Sequence, residues 1–418
     1  MRWLPPARPL RRPPEALRYN FISALILTAQ NGLGRDVDHL AVLCRETWGE
    51  EQWWDAVKDL PHGRVRREGP ARRGAAAPFG FEHGPFRAGR THLMYAAQAG
   101  YEARLTWLLA RGARLELKDG AGRTALYWAA REGRVATVRE LLARGAAFDS
   151  ANGSDVTPLY VASHGGHLEV VRELLARGAT VDALANHGAT PLYIASQNGH
   201  LKVVLELLAR GAAVDAASNS GATPLHIASQ NGRLEVAREL LVRGAAVDAA
   251  LTDGTTPLYI ASWAGHLEVV NELLARGAAV DAAMNDGSTP LYIASHRGRL
   301  RAVRELLARG AAVDAARNSG ATPLFIACKT GHLEVVRELL ARGAALDAAT
   351  NLGVTPLLVA SKEGHLEVVR DLLIRGALPG IAANDGVSAL SRATANGHAA
   401  VAQLLRAVLR AAAGEAPP

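Results

Sequence analysis

Two histidines close together are the first residues of this sequence that could carry out chemistry. His164-Gly-Gly-His167 has the short spacing of a metal-binding pair. The position of His167 recurs along the chain at a spacing of 33 residues or its multiples, but other copies have arginine there, as at Arg233 and Arg299. Arginine stays protonated in proteins and has no lone pair to give a metal. We therefore predict that this histidine packs at the start of a helix and binds no metal.

The cysteines and one glycine-rich turn also favour structural roles. Cys328 stands where other copies of the same segment have serine, and no base is paired with it, so we predict a packing role. Cys44 lies on an apolar helical stripe and is predicted to be part of a core. Gly120-Ala-Gly-Arg-Thr lacks the Gly-x-x-x-x-Gly-Lys-Ser/Thr spacing of a phosphate-binding loop.

The regularly spaced glutamates predict ion pairs on helices. Each precedes an arginine by four residues, a spacing that stabilises a helix by a few tenths of a kcal/mol, or about 0.2–0.5. The pairs are Glu140–Arg144, Glu173–Arg177, Glu206–Arg210, Glu239–Arg243, Glu272–Arg276, Glu305–Arg309 and Glu338–Arg342. With no nucleophile, base or cofactor motif remaining, we expect a protein that is not an enzyme and carries no metal or cofactor.

The elements that position these residues come from an internal repeat. Thr-Pro-Leu begins at 157, 190, 223, 256, 289, 322 and 355, always 33 residues apart, and weaker copies extend the register to ten units over residues 86–411. Each unit predicts two short helices. In one of them, Thr223 is a good N-cap, Pro224 suits the first helical position, and Gly232 ends the helix. The second helix follows as an amphipathic segment beginning near Arg233 and ending before Gly244.

The repeat resembles the ankyrin repeat. Segments such as Gly221-Ala-Thr-Pro-Leu-His-Ile-Ala-Ser-Gln-Asn-Gly match its period and its Thr-Pro-Leu-His-x-Ala core. The resemblance implies an all-α fold, an α-solenoid of about ten stacked helix-turn-helix repeats joined by hairpin-like turns. It also implies that first helices and turn tips line a concave face, and that the usual role is protein–protein recognition. An alanine in every first helix is expected to let neighbouring helices approach closely.

Several positions depart from the ankyrin pattern. Tyrosine most often replaces the histidine of the motif, and Asp155 stands where a turn glycine is expected. Arg392 occupies a normally apolar position in the last unit. Terminal repeats are often atypical because one of their faces meets water, so we interpret the last unit as a cap.

Outside the repeats the sequence predicts four segments. Residues 1–18 and 412–418 are expected to be disordered ends. Residues 19–60 look like a degenerate repeat followed by a short helix that contains Trp53 and Trp54. We expect this segment either to cover the first unit or to bind a partner. Residues 61–85 form a basic Gly/Pro/Arg-rich linker by composition, and an error in the gene model would look the same.

The positions that differ between copies predict where a partner binds. The two residues before the inter-helix glycine vary most, in the place that the resemblance puts on the concave face. We expect Trp263 to be a central anchor there, because tryptophan and arginine are favoured at interfaces, although it could instead pack on its neighbours. The predicted binding residues are Gln197, Asn198, Gln230, Asn231, Trp263, His296, Arg297 and Lys329, with His187, Ser220, Asp253, Asp286 and Ser319 at the rim.

Charge and cysteine content limit the kinds of partner and compartment. The net charge of +7 is concentrated in residues 1–90, so the array itself is nearly neutral. Two cysteines cannot build a disulfide framework, no apolar run is long enough to span a bilayer, and the first residues lack a secretory pattern. We expect a monomeric protein of the cytoplasm or nucleus that binds a protein partner and no membrane.

One alternative function is nucleic-acid association through the arginines of the linker, with the array as a spacer. It predicts binding that falls steeply with salt. The nearly neutral array and the absence of interleaved aromatic residues in the basic segment argue against it. The protein-binding adapter is therefore the preferred prediction.

Overall fold

The computed structural model describes residues 89–412. The segments predicted at 1–18, 19–60 and 61–85, and the tail beyond residue 412, lie outside this range, as does Cys44. The described residues form twenty α-helices, and their β structure is limited to an isolated bridge between Ala382 and Ser388. The predicted all-helical class is therefore confirmed.

The chain divides into two compact units, Met1–Asn186 and His187–Pro418. The described part of the first unit contains three helix pairs. They are α1 (His92–Ala99) with α2 (Glu102–Ala110), α3 (Ala125–Arg131) with α4 (Val135–Ala143), and α5 (Pro158–Gly165) with α6 (Leu168–Ala176).

The second unit contains seven further pairs. Within each unit, first helices pack on the first helices of neighbouring pairs and second helices on second helices. The helices are α7 (Pro191–Asn198), α8 (Leu201–Ala209), α9 (Pro224–Gln230), α10 (Leu234–Val242), α11 (Pro257–Ala264), α12 (Leu267–Ala275), α13 (Pro290–His296), α14 (Leu300–Ala308), α15 (Pro323–Thr330), α16 (Leu333–Ala341), α17 (Pro356–Glu363), α18 (Leu366–Ile374), α19 (Ala389–Ala395) and α20 (Ala399–Ala412).

The repeated Thr-Pro dipeptide starts the first helix of most pairs. In α13 the Thr289 hydroxyl accepts a hydrogen bond from the Tyr292 amide at 3.2 Å, so one of the unpaired N–H groups of the helix end is satisfied. Pro290 follows at the first helical position, where its missing N–H costs nothing. The glycine after the helix, Gly298, has a φ of +66°, which turns the chain towards the second helix.

The alanine of each first helix lies at the centre of the stack. All ten copies are fully buried, with 0% of their surface exposed. A larger side chain at this position would separate helices that are already in contact, because protein interiors leave no spare volume. The predicted structural role of the alanine is therefore confirmed by its burial.

Side chains from one repeat also hold the loop of the next. The carboxylate of Asp314 accepts hydrogen bonds from the Ala345 amide at 3.0 and 3.1 Å, and Asp215, Asp248 and Asp281 repeat this contact 31 residues ahead. At the turns, the Asn318 side chain donates to the Asn285 carbonyl at 3.0 Å. These bonds fix the spacing between consecutive repeats.

Asp155 adopts the conformation of the glycine that it replaces. Its φ is +55°, and among the described residues it is the one non-glycine with a positive φ. Aspartate tolerates this left-handed region better than most residues, since its short polar side chain can bond locally. The turn therefore keeps its shape without glycine.

Candidate protein-binding surface

The histidine repeated before each second helix links neighbouring repeats. Its Nε2 atom bonds the backbone carbonyl of the residue 36 positions earlier, at the end of the preceding first helix, at 2.9–3.1 Å. In the copies with arginine, the Nε atom donates to the equivalent carbonyl at 3.1–3.5 Å. The exchange of histidine for arginine is explained, because both side chains offer an N–H donor at the same place.

This bond also bears on the His164-Gly-Gly-His167 pair. The Nε2 atom of His167 lies 3.0 Å from the Arg131 carbonyl, so the ring must carry its proton on Nε2 to donate there. Within residues 89–412, no group of three or more histidine, cysteine or carboxylate side chains is arranged to hold a metal ion. His167 therefore joins two neighbouring repeats through this hydrogen bond.

The same ring explains the glycine between the helices. A Cβ atom built on Gly298 would lie 2.7 Å from Nδ1 of His332 and 2.8 Å from its Cε1 atom. In the arginine copies the side chain occupies the same space, as Arg299 does beside Gly265. The glycine is therefore needed both for its positive φ and for the close approach of the linking side chain.

The cysteine and the glycine-rich turn have structural surroundings. Cys328 is fully buried in α15, and burial raises the pKa of its thiol, which disfavours the nucleophilic thiolate. In the turn after Asp119, the amides of Ala121 and Arg123 donate to the Asp119 carboxylate at 2.9 and 3.0 Å. The amides that a phosphate-binding loop would offer to its ligand are thus already engaged with a carboxylate.

Six of the seven predicted glutamate–arginine pairs are present as ion pairs of 2.8–3.3 Å. In the remaining copy Glu173 instead pairs with Arg139 of the preceding repeat at 2.6 Å, and Arg177 donates to the Leu142 carbonyl. Links of this second kind, between second helices of neighbouring repeats, recur at Arg238–Glu272, Arg304–Glu338 and Arg337–Asp371.

The eight predicted binding residues all lie in the second unit, at the ends of first helices. They form what we call the first-helix surface: Gln197, Asn198, Gln230, Asn231, Trp263, His296, Arg297 and Lys329. Gln230, Asn231, Trp263, Arg297 and Lys329 are exposed, and the other three are half-buried. The structure thus brings these residues to two adjacent register positions in consecutive repeats.

The backbone of this surface is held in place by the linking side chains. The carbonyls of Gln197, Gln230, Trp263, His296 and Lys329 are the acceptors for Arg233, His266, Arg299, His332 and His365. Their side chains make no use of this bond and can therefore differ from copy to copy. A fixed backbone with variable side chains is what a binding surface needs, because ordering costs are met before the partner arrives.

Trp263 contacts a residue of the next repeat and is also partly exposed. Its side chain is 36% exposed, and the guanidinium carbon of Arg297 lies 4.8 Å from the centre of its ring. This is a cation–π distance, worth about 0.5–1 kcal/mol at an exposed site. The contact joins α11 to the end of α13 and leaves part of the indole exposed.

Positive charge surrounds His296. Its pKa is lowered, first by burial and then by repulsion from Arg297, His332, Lys329 and Arg317. The neutral ring of His296 is therefore favoured.

The sequence interpretation missed a polar cluster beside this surface. Arg317 forms an ion pair with Asp286, donates to the Tyr292 hydroxyl at 3.4 Å, and lies 5.2 Å from the centre of the Tyr292 ring. Burial, and then the nearby Asp286 charge, raise the pKa of Tyr259 to about 12. Arginine at 317 was a visible signal, since the equivalent positions hold Ser218, Leu251, Met284 and Thr350.

These stacked helix pairs define a helical repeat protein, and comparison with known families gives its class. The model of ankyrin repeats in three copies matches residues 77–152, 145–218, 212–284 and 276–350, and the single ankyrin repeat matches 352–384. Because more than half of the chain is matched, the chain belongs to the ankyrin repeat family. The suggested resemblance is confirmed.

A solved structure agrees with this assignment, whereas no curated protein matches the chain. The crystal structure of the human ASB11 ankyrin repeat domain is similar, with 31% sequence identity and a TM-score of 0.50. The similarity covers 55% of this chain and 100% of that one. No helix in the described part of the chain has the length and apolar character to cross a membrane.

Proposed function

We propose that this chain is a non-enzymatic scaffold that binds a protein partner through the first-helix surface. Ankyrin repeats are generally protein–protein interaction modules, and the chain belongs to that family. The observation that carries the proposal is the pairing of a bonded backbone with variable, largely exposed side chains at one position of consecutive repeats.

Trp263 is the proposed anchor of the interface. Buried aromatic side chains at the centre of an interface often contribute 2 kcal/mol or more, which is about a thirtyfold change in affinity. The neutral amides of Gln230 and Asn231 on one side suit hydrogen bonding to a polypeptide backbone. Arg297 on the other side adds a charged group.

Affinity capture from a lysate tests the proposal. The full chain is compared with its Trp263→Ala variant, and with Val242→Ala as a control that truncates a 58% exposed apolar side chain at the end of a second helix. We expect the wild type and the control to retain the same proteins in high salt, and Trp263→Ala to lose them. Retention of every protein by Trp263→Ala would place the binding site elsewhere. Capture of nucleic acid that washes off with salt would favour the alternative function.

We also propose that the chain acts as a monomer in a reducing compartment, the cytoplasm or nucleus. The buried Cys328 is a free thiol, and a chain with two cysteines gains nothing from an oxidising environment. Light scattering of the purified chain and fractionation of cells that express it measure these two properties.

A further inference from the structure

The charged residues of the first-helix surface share one sign. Arg297, Lys329 and Lys362 occupy the ends of three consecutive first helices, α13, α15 and α17, and all three are exposed. Lys362 has a carboxylate neighbour, Glu363 at 3.5 Å. Within residues 89–412, no carboxylate forms an ion pair with Arg297 or Lys329.

The surrounding acids do not cancel this charge. Asp286 is already paired with Arg317. Among the ion pairs of residues 89–412, Asp253 at another turn tip has none with Arg297 or Lys329. The pKa of His296 is lowered by burial and by the same cations, which is consistent with a positive potential between Arg297 and Lys329.

The side-chain chemistry of the first-helix surface changes on either side of the Trp263 ring. The Trp263 ring attracts the Arg297 guanidinium at 4.8 Å but carries no net charge, so the arginine remains available to an anion. Beyond Trp263 on the other side, the equivalent positions hold the neutral amides Gln230 and Asn231. The surface therefore changes from amide to aromatic to cation along consecutive repeats.

We propose that the partner presents an acidic segment with an apolar or aromatic side chain, which contacts Trp263 while its carboxylates face Arg297 and Lys329. This inference rests on the proposed function and names the chemistry of the partner. Charge complementarity of this kind sets specificity and speeds association. From Trp263 to Lys329 the segment crosses two helix-to-helix steps of about 10 Å each, which an extended chain covers with about six residues.

A protein segment fits the surface better than a nucleic acid does. Strands of nucleic acid are bound by a continuous positive groove with several stacking aromatic residues. Here Trp263 is the one tryptophan among the eight residues of the first-helix surface, and half of those residues are neutral amides.

Selection from a display library of random peptides about twelve residues long tests the inference, since this length exceeds the expected contact. The full chain is the target, and the double variant Arg297→Glu/Lys329→Glu is used for counter-selection. The control is Arg301→Glu, because Arg301 is exposed on α14 of the same repeat and lies outside the first-helix surface. Circular dichroism first establishes that all variants keep the wild-type helical content.

We expect the selected peptides to be enriched in aspartate and glutamate around an aromatic or aliphatic residue. Fluorescence anisotropy should show a loss of affinity of at least about tenfold with the double variant or Trp263→Ala, and less than about twofold with Arg301→Glu. The affinity should also fall as salt is added, because the cations are exposed.

Four outcomes would overturn the inference. Peptides that need Trp263 but show no acidic enrichment would leave the binding surface in place and remove the acidic partner. An equal loss with Arg301→Glu would mean that net charge alone governs binding. A single-stranded oligonucleotide that binds more tightly than the best peptide, and is lost with the double variant, would assign the surface to nucleic acid. If no selected peptide depends on Trp263, the proposed function fails as well.

Discussion

The link between Gly298 and His332 gives a prediction that separates two reasons for a glycine. Gly298 and Gly310 both have positive φ values, +66° and +89°. A Cβ atom on Gly298 would meet the His332 ring at 2.7 Å, whereas one on Gly310 would have no atom within 4 Å. Substitution of either glycine by alanine incurs the backbone strain, but only Gly298→Ala should also displace the histidine.

The magnitudes follow from these contacts. Left-handed backbone costs alanine about 1–2 kcal/mol, partly offset by about 0.4–1 kcal/mol from the reduced entropy of the unfolded chain. Gly310→Ala should therefore lower the free energy of unfolding by about 0–1.6 kcal/mol. Displacement of His332 removes its 3.0 Å bond to the His296 carbonyl, which is worth about 1 kcal/mol, and adds overpacking of about 1–3 kcal/mol. Gly298→Ala should cost about 2–4 kcal/mol more than Gly310→Ala.

Urea unfolding of the full chain, followed by far-ultraviolet circular dichroism, measures both effects. In a His332→Ala background the extra cost of Gly298→Ala should disappear, because the atoms that it meets are gone. The free energy of unfolding of His332→Arg should stay within about 0.5 kcal/mol of the wild-type value, since Arg299 donates the equivalent hydrogen bond to the Trp263 carbonyl. Equal costs for the two glycines, or an extra cost that persists without His332, would refute the role given to the ring.

Two further predictions concern buried polar groups. Among the described residues the Oγ atom of Ser295 has no hydrogen-bond partner, whereas Ser361 donates to the Leu357 carbonyl at 2.7 Å. Thermal unfolding should therefore show Ser295→Ala to be neutral or stabilising and Ser361→Ala to cost about 1 kcal/mol, and the reverse order would contradict this reasoning. Burial lowers the pKa of His226 below its unfolded value, so its contribution to stability is complete above the unfolded pKa of about 6.5 and is lost as the pH falls below it through the folded pKa. His226→Tyr, which introduces the residue found at the equivalent position of five other repeats, should show a smaller loss of unfolding free energy on acidification, and an unchanged pH dependence would disprove the assignment.

The elements of the fold were predictable because their signals are local. Thr223, Pro224 and Gly232 lie within one helix and its ends, and each acts through the conformation of its own segment. Comparison of the ten copies then separated constant from variable positions, and the constant alanines proved to be fully buried. In a repeated sequence, the positions that the fold requires can therefore be found by comparing the copies with each other.

The contacts between repeats could not be read in the same way. The partner of His332 is a backbone carbonyl 36 residues earlier, and every residue type has a carbonyl, so no side-chain pattern reveals it. Glu173 satisfied the local rule for a pair with Arg177 but bonds Arg139 across the repeat boundary. Geometry between neighbours decides such cases, because both partners lie within reach and their sequence spacing does not rank them.

Each repeat bonds to its neighbour and also carries part of the proposed binding surface. At the end of each first helix the backbone makes the bond and the side chain forms the surface. The carbonyl at the end of a first helix receives the linking histidine or arginine of the next repeat, while the side chain of the same residue faces outward. Selection on binding can then change Gln230, Trp263 or His296 without breaking the bond that joins the repeats. Stability in a stacked array depends on each interface between neighbours, so this separation lets the surface diversify while those interfaces stay the same.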